Sequence, residues 1–267
     1  MTALHVHRYG AARGPALLAL HGIRGHGARW RHVAETSLGD FSVIAPDLRG
    51  HGRSTHAPPW NTEAHVADML AVLDAHGPDR VDLLGHSYGG LIALRLAHAA
   101  PERVGRMVLL DPSTGLPAGQ MHDQARRTMS PGLFASPQQA EAERRSAWPA
   151  VSPAAVEEEI ADHLVQRDDG RWQWRFEPAA VVTACSEMAG PPVTPPAGVP
   201  TLLVTARRSG FVSPAYVQAC RATLGEQLTV AELDAGHMLY LENPEETGEL
   251  IRRFLTRSPC RGGSPTP

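Results

Sequence analysis

The sequence predicts an α/β protein in which a mostly parallel sheet is flanked by helices and interrupted once by a helical insertion. Three observations point there. Short apolar runs bounded by turn residues recur along the 267 residues, helical patterns lie between them, and this alternation stops after Leu110 to resume near Thr201.

In chain order, Leu17–Leu20, Ser42–Ala45, Val81–Leu84 and Met107–Leu110 read as strands. Their near-continuous apolar character suits a parallel sheet covered on both faces, where in/out alternation is lost. Between them, residues 63–76 place Val66, Met69, Leu70 and Leu73 on one helical face, and residues 90–99 do the same with Leu91, Leu94 and Leu96. Pro112–Pro117 then opens a different region, which lasts until the proline-rich stretch Gly190–Gly198. Within it, Ser136-Pro137 and Ser152-Pro153 put a capping hydroxyl before a proline at the first helical position. Val156, Ile160 and Leu164 recur every four residues and make one apolar face that needs something to cover. Thr201–Val204 and Leu228–Leu233 return to strand character. Ser213-Pro214 and Asn243-Pro244 start two late helices, the second with Glu246 completing a capping box. The predicted organisation is a core of residues 1–111 and 199–257, an insertion over 112–198 ending in a proline-rich hinge, and a disordered Gly-, Pro- and Ser-rich tail over 258–267.

Bulk properties narrow the function. The chain is 42% hydrophobic and 20% charged, and 25 basic against 28 acidic residues give a net charge of −3. No general electrostatic attraction to nucleic acid or to an anionic membrane follows, so a small-molecule substrate is expected. Cys185, Cys220 and Cys260 are odd in number and widely spaced, which argues against a disulfide framework or a thiolate metal site and for a cytoplasmic setting. Neither a secretory leader nor a transmembrane stretch is legible. The 14 histidines are scattered without a carboxylate or cysteine at ligand spacing, so neither a metal nor an organic cofactor is expected; oligomeric state is not legible.

The sharpest motif is Gly85-His-Ser-Tyr-Gly89, a G-x-S-x-G pattern that follows the strand at Val81–Leu84 and opens a helix. A tight strand-to-helix turn leaves no room for side chains two positions before and after the serine. It projects the Ser87 hydroxyl at a helix N-terminus, where the Tyr88 amide favours developing negative charge. Three further blocks accompany it: His21-Gly22 after the first long strand, Pro46-Asp-Leu-Arg-Gly-His-Gly-Arg-Ser54 after the second, and Ala235-Gly-His-Met238 before the last helix.

With these four blocks the chain resembles the α/β-hydrolase superfamily of esterases, lipases and C–C hydrolases, over nearly its whole length. The resemblance implies a helical cap inserted after the sixth core strand, Ser87 as nucleophile, His237 as its base, and the backbone amides of Ile23 and Tyr88 as oxyanion donors. His21 would hold the oxyanion loop, His26, His51 and His86 would be packing or hydrogen-bonding residues, and Asp47 would be scaffold rather than catalytic acid. Acyl transfer through an acyl-enzyme follows from such a set. The family usually carries its acid shortly after the strand at Thr201, but there the chain reads Ala206-Arg-Arg-Ser-Gly-Phe-Val212, with Ser209 in the slot. A hydroxyl cannot stabilise imidazolium as a carboxylate does. Asp111, at the end of the preceding core strand as in haloalkane dehalogenases and certain lipases, is the expected replacement, with Asp234 as the other candidate.

In the insertion, Trp148, Trp172, Trp174 and Met129 are candidates to line an apolar pocket, or else to form the insertion's own core. The expected activity is hydrolysis of a small to medium carboxylic ester. The same machinery serves C–C bond hydrolysis, lactone opening, perhydrolysis or lyase chemistry, and a C–C hydrolase would need a cation such as Arg144, Arg145 or Arg175 for a second carboxylate. A non-catalytic ligand-binding member is the remaining alternative.

Overall fold

The computed structural model describes residues 4–129 and 132–257; the tail expected over 258–267, Cys260 included, lies outside the described residues. The chain runs β1 (Val6–Gly10), β2 (Ala16–Leu20), α1 (Arg31–Ser37), β3 (Ser42–Pro46), α2 (Thr62–His76), β4 (Val81–His86), α3 (Tyr88–Ala99) and β5 (Val104–Leu110). It then leaves the sheet for α4 (Ala118–Met129), α5 (Pro137–Ala147), α6 (Pro153–His163), a hairpin of β6 (Leu164–Gln166) and β7 (Trp172–Trp174), and α7 (Pro178–Met188). It returns through β8 (Thr201–Ala206), α8 (Pro214–Leu224), β9 (Leu228–Leu233), α9 (Leu239–Glu242) and α10 (Pro244–Thr256).

Seven strands form one sheet in the order β1-β3-β2-β4-β5-β8-β9, parallel throughout except for the antiparallel edge pair β1–β3. Strand alternation divides the core between the two faces. Leu18, Leu20, Ile44, Leu83, Met107, Leu109 and Leu203 pack beneath α2, α3 and α8 through Met69, Leu73, Leu91 and Tyr216. Leu17, Val43, Ala45, Leu84, Val108, Leu110 and Val204 meet Trp30, Val33, Ile251 and Phe254 from the side of α1 and α10. With most of these side chains sealed from solvent, each large one contributes about 1.5–3 kcal/mol by burial. Ser136, Ser152 and Ser213 cap α5, α6 and α8 by accepting from the amides of Gln139, Ala155 and Tyr216.

Several expectations are corrected. Five strands, not six, precede the insertion in chain order. The strand among them that matches none of the four apolar runs, β1, is a half-exposed edge whose Val-His-Arg-Tyr-Gly sequence lacks such a run. Leu164 does not continue the apolar face of α6, because the helix ends at His163 and Leu164 pairs with Trp174 in the hairpin. The capping box at Asn243 does not form; Asn243 also terminates α9, and its side-chain amide is directed to the Asp234 carbonyl at 3.5 Å. Among the described residues no helix is long and apolar enough to cross a membrane.

Candidate active site

The sheet reverses its winding between β2 and β4, and loops at such a switch point splay apart to leave a crevice beyond the carboxyl ends of the strands. The residues singled out in the sequence follow strands at this edge: Ile23 after β2, Ser87 after β4, Asp111 after β5, Ser209 after β8 and His237 after β9.

Ser87 sits at φ 55°, ψ −122°, a left-handed conformation for a residue with a side chain, at a cost on the order of 1–3 kcal/mol. The flanking glycines make it possible. A Cβ at Gly85 would lie 2.6 Å from the Gly89 carbonyl oxygen, and one at Gly89 would lie 2.3 Å from that of Leu20. The turn is therefore wedged between β2 and its own helix, with the Ser87 hydroxyl at the N-terminus of α3.

Three side chains converge around it. His237 Nδ1 lies 2.6 Å from Asp111 Oδ2, and His237 Nε2 lies 2.9 Å from Ser87 Oγ. An ionised carboxylate only accepts, so Nδ1 carries the proton and Nε2 is left to accept from the Ser87 hydroxyl. Asp111 is fully buried, and its charge is met by donors: Ser209 Oγ donates to Oδ2 at 2.5 Å and the Ala206 amide to Oδ1 at 3.4 Å. Ser209, in the slot where the family usually carries the acid, thus bonds to a carboxylate arriving from the neighbouring strand. Asp234, the other candidate acid, is turned outward to Arg208.

His237 is held from other sides too. Phe211 stacks on its ring at 4.1 Å, and His86 Nε2 donates to its carbonyl at 2.8 Å. Complete burial pushes His86 well below the usual histidine range, so it remains a neutral donor. Ser113, which nothing in the sequence marked beyond a turn-rich Pro-Ser-Thr-Gly stretch, places its hydroxyl 3.0 Å from Ser87 Oγ.

The loop after β2 is pinned by His21, whose Nε2 accepts from the Leu48 amide at 2.9 Å while Nδ1 donates to the Gly22 carbonyl at 2.8 Å. Gly22 lies against the nucleophile turn, where a Cβ would come within 2.9 Å of Ser87 Cβ. Ile23 follows directly, and Tyr88 begins α3, where the first amides have no intrahelical acceptor. Ile23 and Ser87 line the same cavity, and Ser87 stands at the N-terminus of α3 that Tyr88 opens.

Asp47 belongs to the scaffold. It accepts from the Gly27 and Arg53 amides and meets His7 Nε2 at 3.1 Å. Burial opposes its ionisation, but the His7 and backbone hydrogen bonds hold its carboxyl well below the usual range. Among the described residues, His5, His7 and Asp47 form the one group of three potential metal ligands within 4.8 Å.

Above Ser87 and His237 opens a cavity of about 540 Å³, walled below by Ile23, Phe211 and Met238 and above by insertion residues including Met121, Trp148 and Met188. Of the four candidates, Trp148 lines it; Trp174 is buried and Trp172 partly buried in the core cluster, and Met129 is 69% exposed. The insertion is tied to the core by Glu159 of α6. It accepts from Arg29 Nε and Nη2 at 2.9 and 2.6 Å and from His26 Nε2 at 2.9 Å.

Burial also lowers His21, His51, His65, His86 and His163, with His51 reaching about 3 and His65 about 4. Because these rings stay neutral when folded and protonate when unfolded, the unfolded state takes up more protons below about pH 6.5, and stability falls as pH falls. Each contributes up to about 1.4 kcal/mol per pH unit in that window. The unfolding temperature is expected to hold above about pH 7 and to drop clearly by about pH 5.5; equal values at the two pH values would contradict this.

The sheet, its switch-point crevice and the strained serine turn define an α/β hydrolase. A sequence model of the α/β hydrolase fold matches residues 15–140. The chain is 38% identical to lipase LipV of Mycobacterium tuberculosis, over 94% of this chain and 97% of that protein, and 24% identical to esterase YbfF of Escherichia coli, over 90% and 92%. Among solved structures, E-2-(acetamidomethylene)succinate hydrolase superposes with a TM-score of 0.82 at 23% identity, covering 95% of each chain; a marine microorganism esterase gives 0.77 at 21%, covering 95% of this chain and 100% of that one. The chain belongs to the α/β hydrolase fold family.

Proposed function

We propose that this chain is a serine hydrolase cleaving a small to medium carboxylic ester, with Ser87 as nucleophile, His237 as general base, Asp111 as the acid, the Ile23 and Tyr88 amides as oxyanion donors, and residues 112–198 as a cap over the site. The observation that supports this most is the continuous relay from Asp111 through His237 to Ser87, at 2.6 and 2.9 Å, on the floor of a cavity. Relatives named lipase and esterase along almost the full chain support the ester class.

His237 Nε2 takes the hydroxyl proton as Ser87 Oγ attacks the ester carbonyl, and Asp111 stabilises the imidazolium that results. The oxyanion gains the two amides, each worth about 2.7–4 kcal/mol in the transition state. His237 then protonates the departing alcohol, leaving an acyl-enzyme. Water deprotonated by His237 releases the acid and restores Ser87.

The purified protein is expected to hydrolyse short-chain 4-nitrophenyl esters, with turnover cut by about six orders of magnitude in Ser87→Ala. A folded wild-type protein inert toward a series of acyl lengths would overturn the ester assignment.

A further inference from the structure

Among the described residues, the cavity above Ser87 is lined by five arginines, Arg24, Arg29, Arg127, Arg144 and Arg208, against a single carboxylate, Glu242. Two of the five are already matched: Arg29 by Glu159, and Arg208 by Asp234 and Glu242. Arg24, Arg127 and Arg144 make no hydrogen bond to a carboxylate among the described residues. Arg127 donates to Gln124. Arg144 is the most constrained, with a side chain 7% exposed and Nε and Nη2 both buried without a hydrogen-bond partner. Its Nη2 stands 3.4 Å from a Glu159 oxygen that Arg29 already occupies. Arg24 likewise has a buried, unpartnered Nε and is held at φ 57°.

The indole rings of Trp148 and Trp174 lie 4.4 and 4.0 Å from the Arg144 guanidinium carbon. They stabilise the cation through their π faces but accept no in-plane hydrogen bond. Arg144 lines the cavity, so an anion entering there is attracted to a cation whose nearest carboxylate oxygen is already taken by Arg29. Burial draws Arg144 down to about 10, which still leaves it charged at neutral pH. A buried cation with unmet donors is costly, and an anion in the cavity offsets part of that cost where a neutral ligand does not.

From this we propose that the cavity is an anion subsite, and that the preferred substrate is an ester bearing a carboxylate, received by Arg144 with Arg24 and Arg127. This rests on the ester-hydrolase reading of Ser87. The carboxylate can reside in the acyl part, as in a hemi-ester of a dicarboxylic acid, or in the alcohol part.

Two matched pairs distinguish these sources: 4-nitrophenyl hemiglutarate against its neutral methyl-capped counterpart, and 4-acetoxybenzoate against methyl 4-acetoxybenzoate. In one pair at least, kcat/KM is expected to favour the anion about tenfold or more in the wild type, mostly through KM. The ratio should fall toward one in Arg144→Met, and in part in Arg24→Met, which serves should the first variant not fold. Hydrolysis of both neutral esters as fast as or faster than the anionic ones by the wild type would overturn the subsite and leave the esterase standing. An unchanged ratio in both folded variants would also overturn it. Inertness toward all four esters would overturn the catalytic reading, and this proposal with it.

Discussion

Asp111→Asn is expected to lower turnover by about four orders of magnitude while leaving the unfolding temperature close to that of the wild type. The asparagine preserves shape but presents an N–H or a neutral oxygen to His237 Nδ1, so it neither fixes the tautomer nor stabilises the imidazolium. Packing is little changed because the side chain is isosteric. The distinctive expectation is the rescue. Ser209 Oγ already lies 2.5 Å from the Asp111 oxygen that faces His237, and an aspartate at 209 reaches one bond further. Ser209→Asp in the Asp111→Asn background should recover about tenfold or more of the lost turnover. Measuring kcat separately from KM on a 4-nitrophenyl ester checks both, and an Asp111→Asn enzyme within about tenfold of wild type would remove Asp111 from the mechanism.

Glu159→Ala is the substitution expected to cost most in stability. It leaves the buried Arg29 and His26 without the acceptor they share, and removes the carboxylate nearest to Arg144. Breaking a buried pair by deleting one partner costs about 3–5 kcal/mol. For a chain of this size that corresponds to an unfolding temperature lower by on the order of 10 °C. Burial opposes the ionisation of Glu159, yet the charges of Arg29 and His26 hold its carboxyl well below the usual range. Its contribution is therefore present at neutral pH and is lost only in acid, as pH falls through that lowered value. Calorimetric unfolding at neutral pH checks this; a change of less than about 2 °C would show that the interface relaxes around the lost carboxylate.

What the sequence made legible is what local chemistry dictates. The interior strands announce themselves because both faces are buried, and the serine turn announces itself because two close backbone approaches demand Gly85 and Gly89. The meeting of Ser87, His237 and Asp111, as distinct from their roles, was approachable because each ends a strand at one sheet edge and because Ser209 left a carboxylate to be sought elsewhere. Strand β1 was missed because an antiparallel edge with one wet face needs no apolar run. Three-residue strands such as β6 and β7 carry too few positions for a period to appear, and Leu164 at every fourth position imitated a helix. The contacts that bind insertion to core were invisible for another reason: Arg29 and Glu159 are 130 positions apart, and no local pattern links them. Ser113 and the His86 bond to the His237 carbonyl belong to the same class, being products of the packed strand ends rather than of any motif.

The most direct test of the account is mass spectrometry of the protein after treatment with a fluorophosphonate, a reagent that captures a serine only when a neighbouring base and oxyanion donors activate it. One adduct is expected per chain, on the peptide containing Ser87, absent in Ser87→Ala and formed far more slowly in Asp111→Asn. A folded wild-type protein that remained unlabelled, or that carried its adduct on another serine, would contradict the assignment of Ser87 as the nucleophile.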